Sequence, residues 1–155
     1  MRPIISGSVA TVRITTVKNK IGRIGARGAF LRLGRKDTAW VQIADSVEVA
    51  IINSSGDLDA FGYDKDWKRG LCHPDSGILF ENRRIPQFPQ AVQKCIELHN
   101  KVPHFIIIGW DIAVDADEQI KIIEWNGDVV DIKFAEATTG PWFSDLKWEK
   151  YGKAD

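Results

Sequence analysis

The chain has 155 residues, 21 of them basic and 21 acidic, so its formal charge is zero. That balance argues against nucleic acid or an anionic membrane surface as a partner, since both select for a basic excess. Apolar residues make up 44% and charged ones 27%, the ordinary mix of a globular chain with a proper core, and no apolar run approaches the roughly 18 residues of a spanning helix.

The first residues, Met1-Arg2-Pro3-Ile4-Ile5-Ser6, have no signal-peptide layout, and Cys72 and Cys95 stand apart without Cys-x-x-Cys spacing. A cytoplasmic, reducing location is therefore the default, with no zinc site or disulfide framework expected. Residues 8–17 (SVATVRITTV) are β-branched and alternate around Arg13, which predicts a strand. Residues 18–28 (KNKIGRIGARG) are basic and glycine-rich. They match neither the P-loop nor the dinucleotide fingerprint, so they read as a turn between strands, with phosphate binding the lesser option. Residues 29–33 read as a short strand carrying Arg32. Residues 47–52 (VEVAII) are another, with 58–63 as the hairpin partner across a turn at 53–57. Residues 64–81 lack periodicity and read as an extended loop. Inside it His73 precedes Pro74, which restricts its neighbour's backbone. The imidazole either fixes the loop or serves as a binding group, acid or base.

Pro89 can occupy the first turn of a helix. Ala91, Val92, Cys95, Ile96, Leu98 and His99 then form an apolar stripe at helical spacing, closed by Asn100-Lys101-Val102-Pro103. Cys95 reads as a core residue and not a nucleophile. Residues 105–114 and 120–125 are apolar runs on either side of an acidic turn, Asp115-Ala116-Asp117-Glu118. They predict a hairpin, and because both runs are apolar on both faces, a covered one in the middle of a sheet. Residues 129–138 (VVDIKFAEAT) read as a short helix or irregular chain over the hairpin, and 142–151 as a partly helical terminal segment with aromatic anchors.

Three polar residues interrupt the hairpin. Asp111 lies between Trp110 and Ile112, Glu124 between Ile123 and Trp125, and Asn126 follows two positions on. Alternation points Glu124 and Asn126 the same way, and an even-numbered turn would place Asp111 on that face too. Two carboxylates and an amide oxygen in apolar walls need a partner, and a hard cation such as Mg²⁺ suits oxygen ligands of this kind. The alternative is that Asp111 and Glu124 pair with Lys or Arg from a neighbouring strand. Lys133 is the basic residue that follows the triad most closely. It either touches phosphate or forms a surface ion pair with Glu136.

The stretch GWDIAVDADEQIKIIEWN resembles the metal-binding hairpin of the ATP-grasp superfamily. More narrowly, the chain resembles the sugar-transfer-associated ATP-grasp proteins, which are akin to α-L-glutamate ligases. The supporting stretches are Thr11-Val12-Arg13-Ile14, Leu31-Arg32-Leu33-Gly34, His73-Pro74-Asp75-Ser76-Gly77, Ile85-Pro86, Gly109-Trp110-Asp111-Ile112-Ala113 and Asp131-Ile132-Lys133-Phe134. The resemblance implies an α+β fold, mostly antiparallel sheet with a few helices, corresponding to the C-terminal subdomain of an ATP-grasp fold. It implies ATP and Mg²⁺ as cofactors, with Asp111, Glu124 and Asn126 as metal ligands. Arg13 is implied to reach the nucleotide phosphates and steady the transferring group, and a guanidinium fork matches phosphate oxygens. Arg32 is implied to lie near substrate or phosphate. The family's usual Asp-Asn and following Gly-Gly are replaced here by Asp37-Thr38 and Asp45-Ser46-Val47, which departs from the acceptor side of the pattern.

No N-terminal subdomain is recognised before the first strand, so residues 1–155 read as one C-terminal subdomain without its phosphate-covering partner. The expected activity is half of an ATP-dependent carboxylate–amine or carboxylate–thiol ligase, incomplete as an isolated chain and linked to cell-envelope polysaccharide synthesis. The alternatives are a non-catalytic binding or assembly module, and an α+β domain whose carboxylates only form ion pairs. The expected partners are a small-molecule carboxylate, an amine or thiol acceptor, and either a second copy of the chain or the missing subdomain supplied in trans.

Overall fold

The computed structural model describes residues 10–35, 46–128 and 130–146. The described chain forms one 7-stranded antiparallel sheet with two helices, an α+β fold. The strands are β1 (Thr11–Lys18), β2 (Ile24–Leu33), β3 (Val47–Ile51), β4 (Leu58–Tyr63), β5 (Arg69–Gly70), β6 (Ile107–Val114) and β7 (Ile120–Asn126). They lie side by side in the order β5-β4-β3-β2-β1-β6-β7. Helix α1 (Phe88–Asn100) falls between β5 and β6, and α2 (Lys133–Thr139) follows β7.

Alternation sorts the sheet into two unlike faces. Val12 and Ile14 of β1, Leu31 and Leu33 of β2, Val47 and Val49 of β3, and Ile108 and Ile112 of β6 point to one side and are buried. The buried stripe of α1, Phe88, Ala91, Cys95 and His99, closes over that side and completes the main core. The opposite side carries the polar residues. There α2 covers only the β2–β3 end, where Phe134 and Ala135 pack with Phe30 and Ala50 and Tyr63 joins them.

Several sequence expectations are corrected. The hairpin of β6 and β7 is not a covered centre: β7 is the edge strand, and Ile123 and Trp125 on it are 55% and 44% exposed. Much of the basic segment 18–28 is strand, because β2 starts at Ile24, and the turn narrows to residues 19–23. The loop 64–81 contains β5 and a bridge between Cys72 and Leu79. In the terminal segment the described residues 142–146 include a 3₁₀ helix at Ser144–Leu146, which agrees with a partly helical stretch. The start of the first strand at Ser8, the departures at Asp37-Thr38 and Asp45, and the terminal segment past Leu146 lie outside the described residues.

Candidate functional site

The polar face is built around a row of residues at matching heights on three adjacent strands. Arg13 on β1 stands opposite Asp111 on β6, and Asp111 stands opposite Glu124 on β7. The connection between β6 and β7 spans residues 115–119, an odd number, with Val114 opposite Ile120. A regular ladder from that turn would put Ile123 opposite Asp111 and send Glu124 to the α1 side. A bulge between Asp111 and Ile112 absorbs Ile123 and restores Glu124 to the polar face. An even-numbered turn was expected to do this, and the bulge takes its place. Asn126 shares the face, stands opposite Gly109, and donates from Nδ2 to Glu124 Oε1 at 3.1 Å.

Arg13 and Asp111 are 5% and 7% exposed and meet as a fork. Arg13 donates from Nε to Asp111 Oδ1 and from Nη2 to Oδ2, each at 2.7 Å. Its third group, Nη1, donates to the Val130 carbonyl at 2.9 Å. Gly109 makes this packing feasible, because a Cβ there would stand 3.0 Å from both Arg13 Nη1 and the Val130 oxygen. The ion-pair alternative is thus what the structure shows for Asp111, with an arginine of the neighbouring strand. Among the described residues, Glu124 and Asn126 form no hydrogen bond or ion pair with that arginine. Glu124 is exposed, its second oxygen has no hydrogen bond among the described residues, and Asn126 keeps its carbonyl oxygen while its amide donates.

A second arginine cluster lies on the same face, on the neighbouring strands β2 and β3. Arg32 donates from Nε to Glu48 Oε1 at 2.9 Å and from Nη2 to Asp131 Oδ2 at 2.8 Å. Burial pushes the Glu48 carboxyl up, and this outweighs the pull of the Arg32 guanidinium beside it. Val130 and Asp131 therefore hold one arginine each, and Asp131 does so from a left-handed backbone, φ 50°. Glu48 and Val130 were not singled out from the sequence. A lone Glu in the apolar run VEVAII is the same kind of interruption that marked Asp111, whereas a backbone carbonyl leaves no sequence signal.

Lys133 is exposed at the start of α2 and forms no ion pair with Glu136 among the described residues. The Glu136 carboxylate accepts from the Trp142 backbone N–H instead. His73 is fully buried. Its Nε2 meets the Gly34 carbonyl at 2.9 Å, and its Nδ1 accepts from the Asp75 backbone at 3.3 Å. It fixes the loop. Cys95 is buried, and burial pushes its thiol up to about 12, so it is inert as a nucleophile.

The donor set of Asp111, Glu124 and Asn126 is all oxygen, as a hard cation requires. No group of three or more His, Cys, Asp or Glu side chains gathers among the described residues, and this set counts only two carboxylates beside its amide. Against known proteins, the family model described as sugar-transfer associated ATP-grasp matches residues 2–142. The chain belongs to that family. No curated protein and no solved structure gives a significant match. The sheet is consistent with the C-terminal subdomain of an ATP-grasp fold, and no helix of the described residues is long and apolar enough to cross a membrane.

Proposed function

We propose that the chain is the magnesium- and ATP-binding half of a carboxylate ligase of the ATP-grasp type. The observation that carries this is the row Arg13–Asp111–Glu124, with Asn126 beside it, on the polar face of the sheet in a chain of this family. When bound, ATP with Mg²⁺ supplies the phosphoryl group that turns a carboxylate into an acyl phosphate, from which an amine or thiol displaces phosphate. Asp111, Glu124 and Asn126 would hold the cation. Arg13 would present its fork to phosphate oxygens and offset charge on the transferring group. Arg32, held by Glu48 and Asp131, would face the substrate side, and Lys133 at the head of α2 is close enough in sequence to join the phosphates on closure. The acceptor, the link to cell-envelope polysaccharide synthesis and a cytoplasmic setting belong to this proposal as well. So do the partners, a second subdomain in trans or a second copy, either of which would cover the exposed Ile123 and Trp125 of β7.

A second reading has an observation of its own. Asp111 already has a guanidinium on both oxygens, as in a purely structural ion pair or in a binding module that has lost turnover. Calorimetric titration with Mg²⁺-ATP separates the two. Saturable binding by the wild-type chain, lost at least tenfold in Glu124→Ala, is expected for the ligase half. Because Glu124 is exposed, that variant should keep its stability within about 0.5 kcal/mol. Binding unchanged by Glu124→Ala and by Asp111→Ala would leave only the structural reading.

A further inference from the structure

The arginine of β2 leaves a hydrogen-bonding group unused in a buried place. Arg32 is 5% exposed, and its Nε and Nη2 are engaged by Glu48 and Asp131, but its Nη1 has no acceptor among the described residues. Each carboxylate is half used as well. Among the same residues Glu48 accepts only at Oε1, and Asp131 only at Oδ2. Resting on the reading that Arg32 faces the substrate side, we infer that this cluster, with Trp67 beside it, is a subsite for the pyranose ring of an uncharged sugar.

The unused groups decide the chemistry. A buried N–H without a partner is costly and calls for an acceptor from outside the chain. A phosphate or carboxylate would offer one, yet it would face two carboxylates against one guanidinium, a net negative charge. An ammonium fails on the other count, because it has no lone pair for Nη1. A hydroxyl both accepts and donates, so neighbouring hydroxyls can take the Nη1 hydrogens and return their own to Glu48 Oε2 and Asp131 Oδ1. The aromatic residues then favour a ring over an open-chain polyol. Tyr63 is the strand partner of Glu48, and its ring lies 5.9 Å from that of Trp67. The Trp67 ring stacks at 6.0 Å on that of Phe134, which follows Asp131 closely in the chain, and Trp67 stays 52% exposed. Its backbone is left-handed, φ 60°, an uncommon state for so bulky a residue. The loop holds it there, with Asp64 Oδ1 accepting from the Asp66 and Lys68 backbone at 2.9 and 3.0 Å. A turn that keeps an indole in water suits a platform for the C–H face of a sugar, next to groups that read its hydroxyls.

The test is titration of the intact chain, followed by NMR, with the methyl pyranosides of glucose, galactose, mannose and N-acetylglucosamine, beside glycerol and inorganic phosphate. At least one pyranoside should bind saturably and more tightly than glycerol or phosphate. Two variants should each weaken it by about tenfold: Trp67→Asn, which tolerates the left-handed backbone, and Glu48→Gln, which keeps the shape but loses the charge-assisted bonds. Saturable sugar binding that neither variant changes would put the sugar elsewhere and overturn the inference. So would phosphate binding more tightly than every pyranoside. No binding of any pyranoside by a chain that still binds Mg²⁺-ATP would overturn the inference and leave the proposed function standing. Failure to bind either would overturn both.

Discussion

At the scale of single residues, the ion pair of Arg13 and Asp111 dominates the polar face. Removing one partner strands the other as a buried, uncompensated charge. Arg13→Met or Asp111→Asn alone should therefore cost about 3–5 kcal/mol in urea unfolding. The double variant Arg13→Met/Asp111→Leu should recover much of that loss, because a well-packed apolar pair avoids desolvating two ions. A double variant as unstable as the sum of the singles would show that the pair is not coupled in this way. These residues were legible in the sequence because each is a charge set in an apolar, β-branched run, and such a charge needs a partner. The identity of the partner was not legible. Arg13 and Asp111 are 98 positions apart, and strand pairing over that distance leaves no local trace. Glu48 carried the same signal and went unread, since VEVAII reads as a strand whether or not its Glu is engaged.

At the scale of elements, the β6–β7 hairpin decides where the site faces. Its two strands were predicted within a few residues, because both are long runs of Ile and Val with an acidic turn between them. Neither its bulge nor its edge position was legible. Ile123 looks like its neighbours in sequence, and only the register shows that it is the extra residue. Its position at the edge depends on which strands pair, and apolar composition alone suggested the opposite. The bulge and Lys121 also blunt an edge that would otherwise invite further pairing. Across the hairpin, Gly109 is where the backbone must stay bare. Gly109→Ala should push Arg13 and the Val130 carbonyl out of contact, cost about 1–3 kcal/mol by overpacking and weaken Mg²⁺-ATP binding. Unfolding and binding curves that match wild type would mean that the guanidinium does not depend on that space.

At the scale of the whole molecule, the two faces of the sheet are built differently, the α1 side around the main apolar core and the other around buried ion pairs and a smaller apolar cluster. The α1 side is closed by a buried hydrogen-bond chain. Trp110 Nε1 donates to Thr16 Oγ1 at 2.8 Å, that oxygen lies 2.8 Å from His99 Nδ1, and His99 Nε2 lies 3.1 Å from the Phe105 carbonyl. With the proton on Nε2, every group in the chain is satisfied and His99 is neutral. Burial holds its imidazole below the ordinary value, against the opposing pull of the Phe105 carbonyl. The unfolded chain takes up this proton near pH 6.5 and the folded one only at lower pH, so this contribution to stability is complete above about pH 6.5 and declines as pH falls below it. Urea midpoints should drop between pH 7.5 and 5.5, and His99→Gln should flatten that slope. The raised Glu48 acts with the opposite sign, binding its proton more readily in the folded state, and it does so nearer its own carboxylate range. A wild-type slope equal to that of His99→Gln would remove His99 from this role.

The polar face holds the central claim, and the most direct measurement is paramagnetic broadening by Mn²⁺, standing in for Mg²⁺ in the presence of ATP. The Asn126 side-chain amide and the Gly109 backbone amide should broaden first, while the side-chain amides of Gln90 and Gln93 on α1, across the sheet, stay sharp. Broadening centred on α1 or on residues 64–84, with Asn126 and Gly109 untouched, would contradict the assignment of the metal and nucleotide to the Arg13–Asp111–Glu124 face.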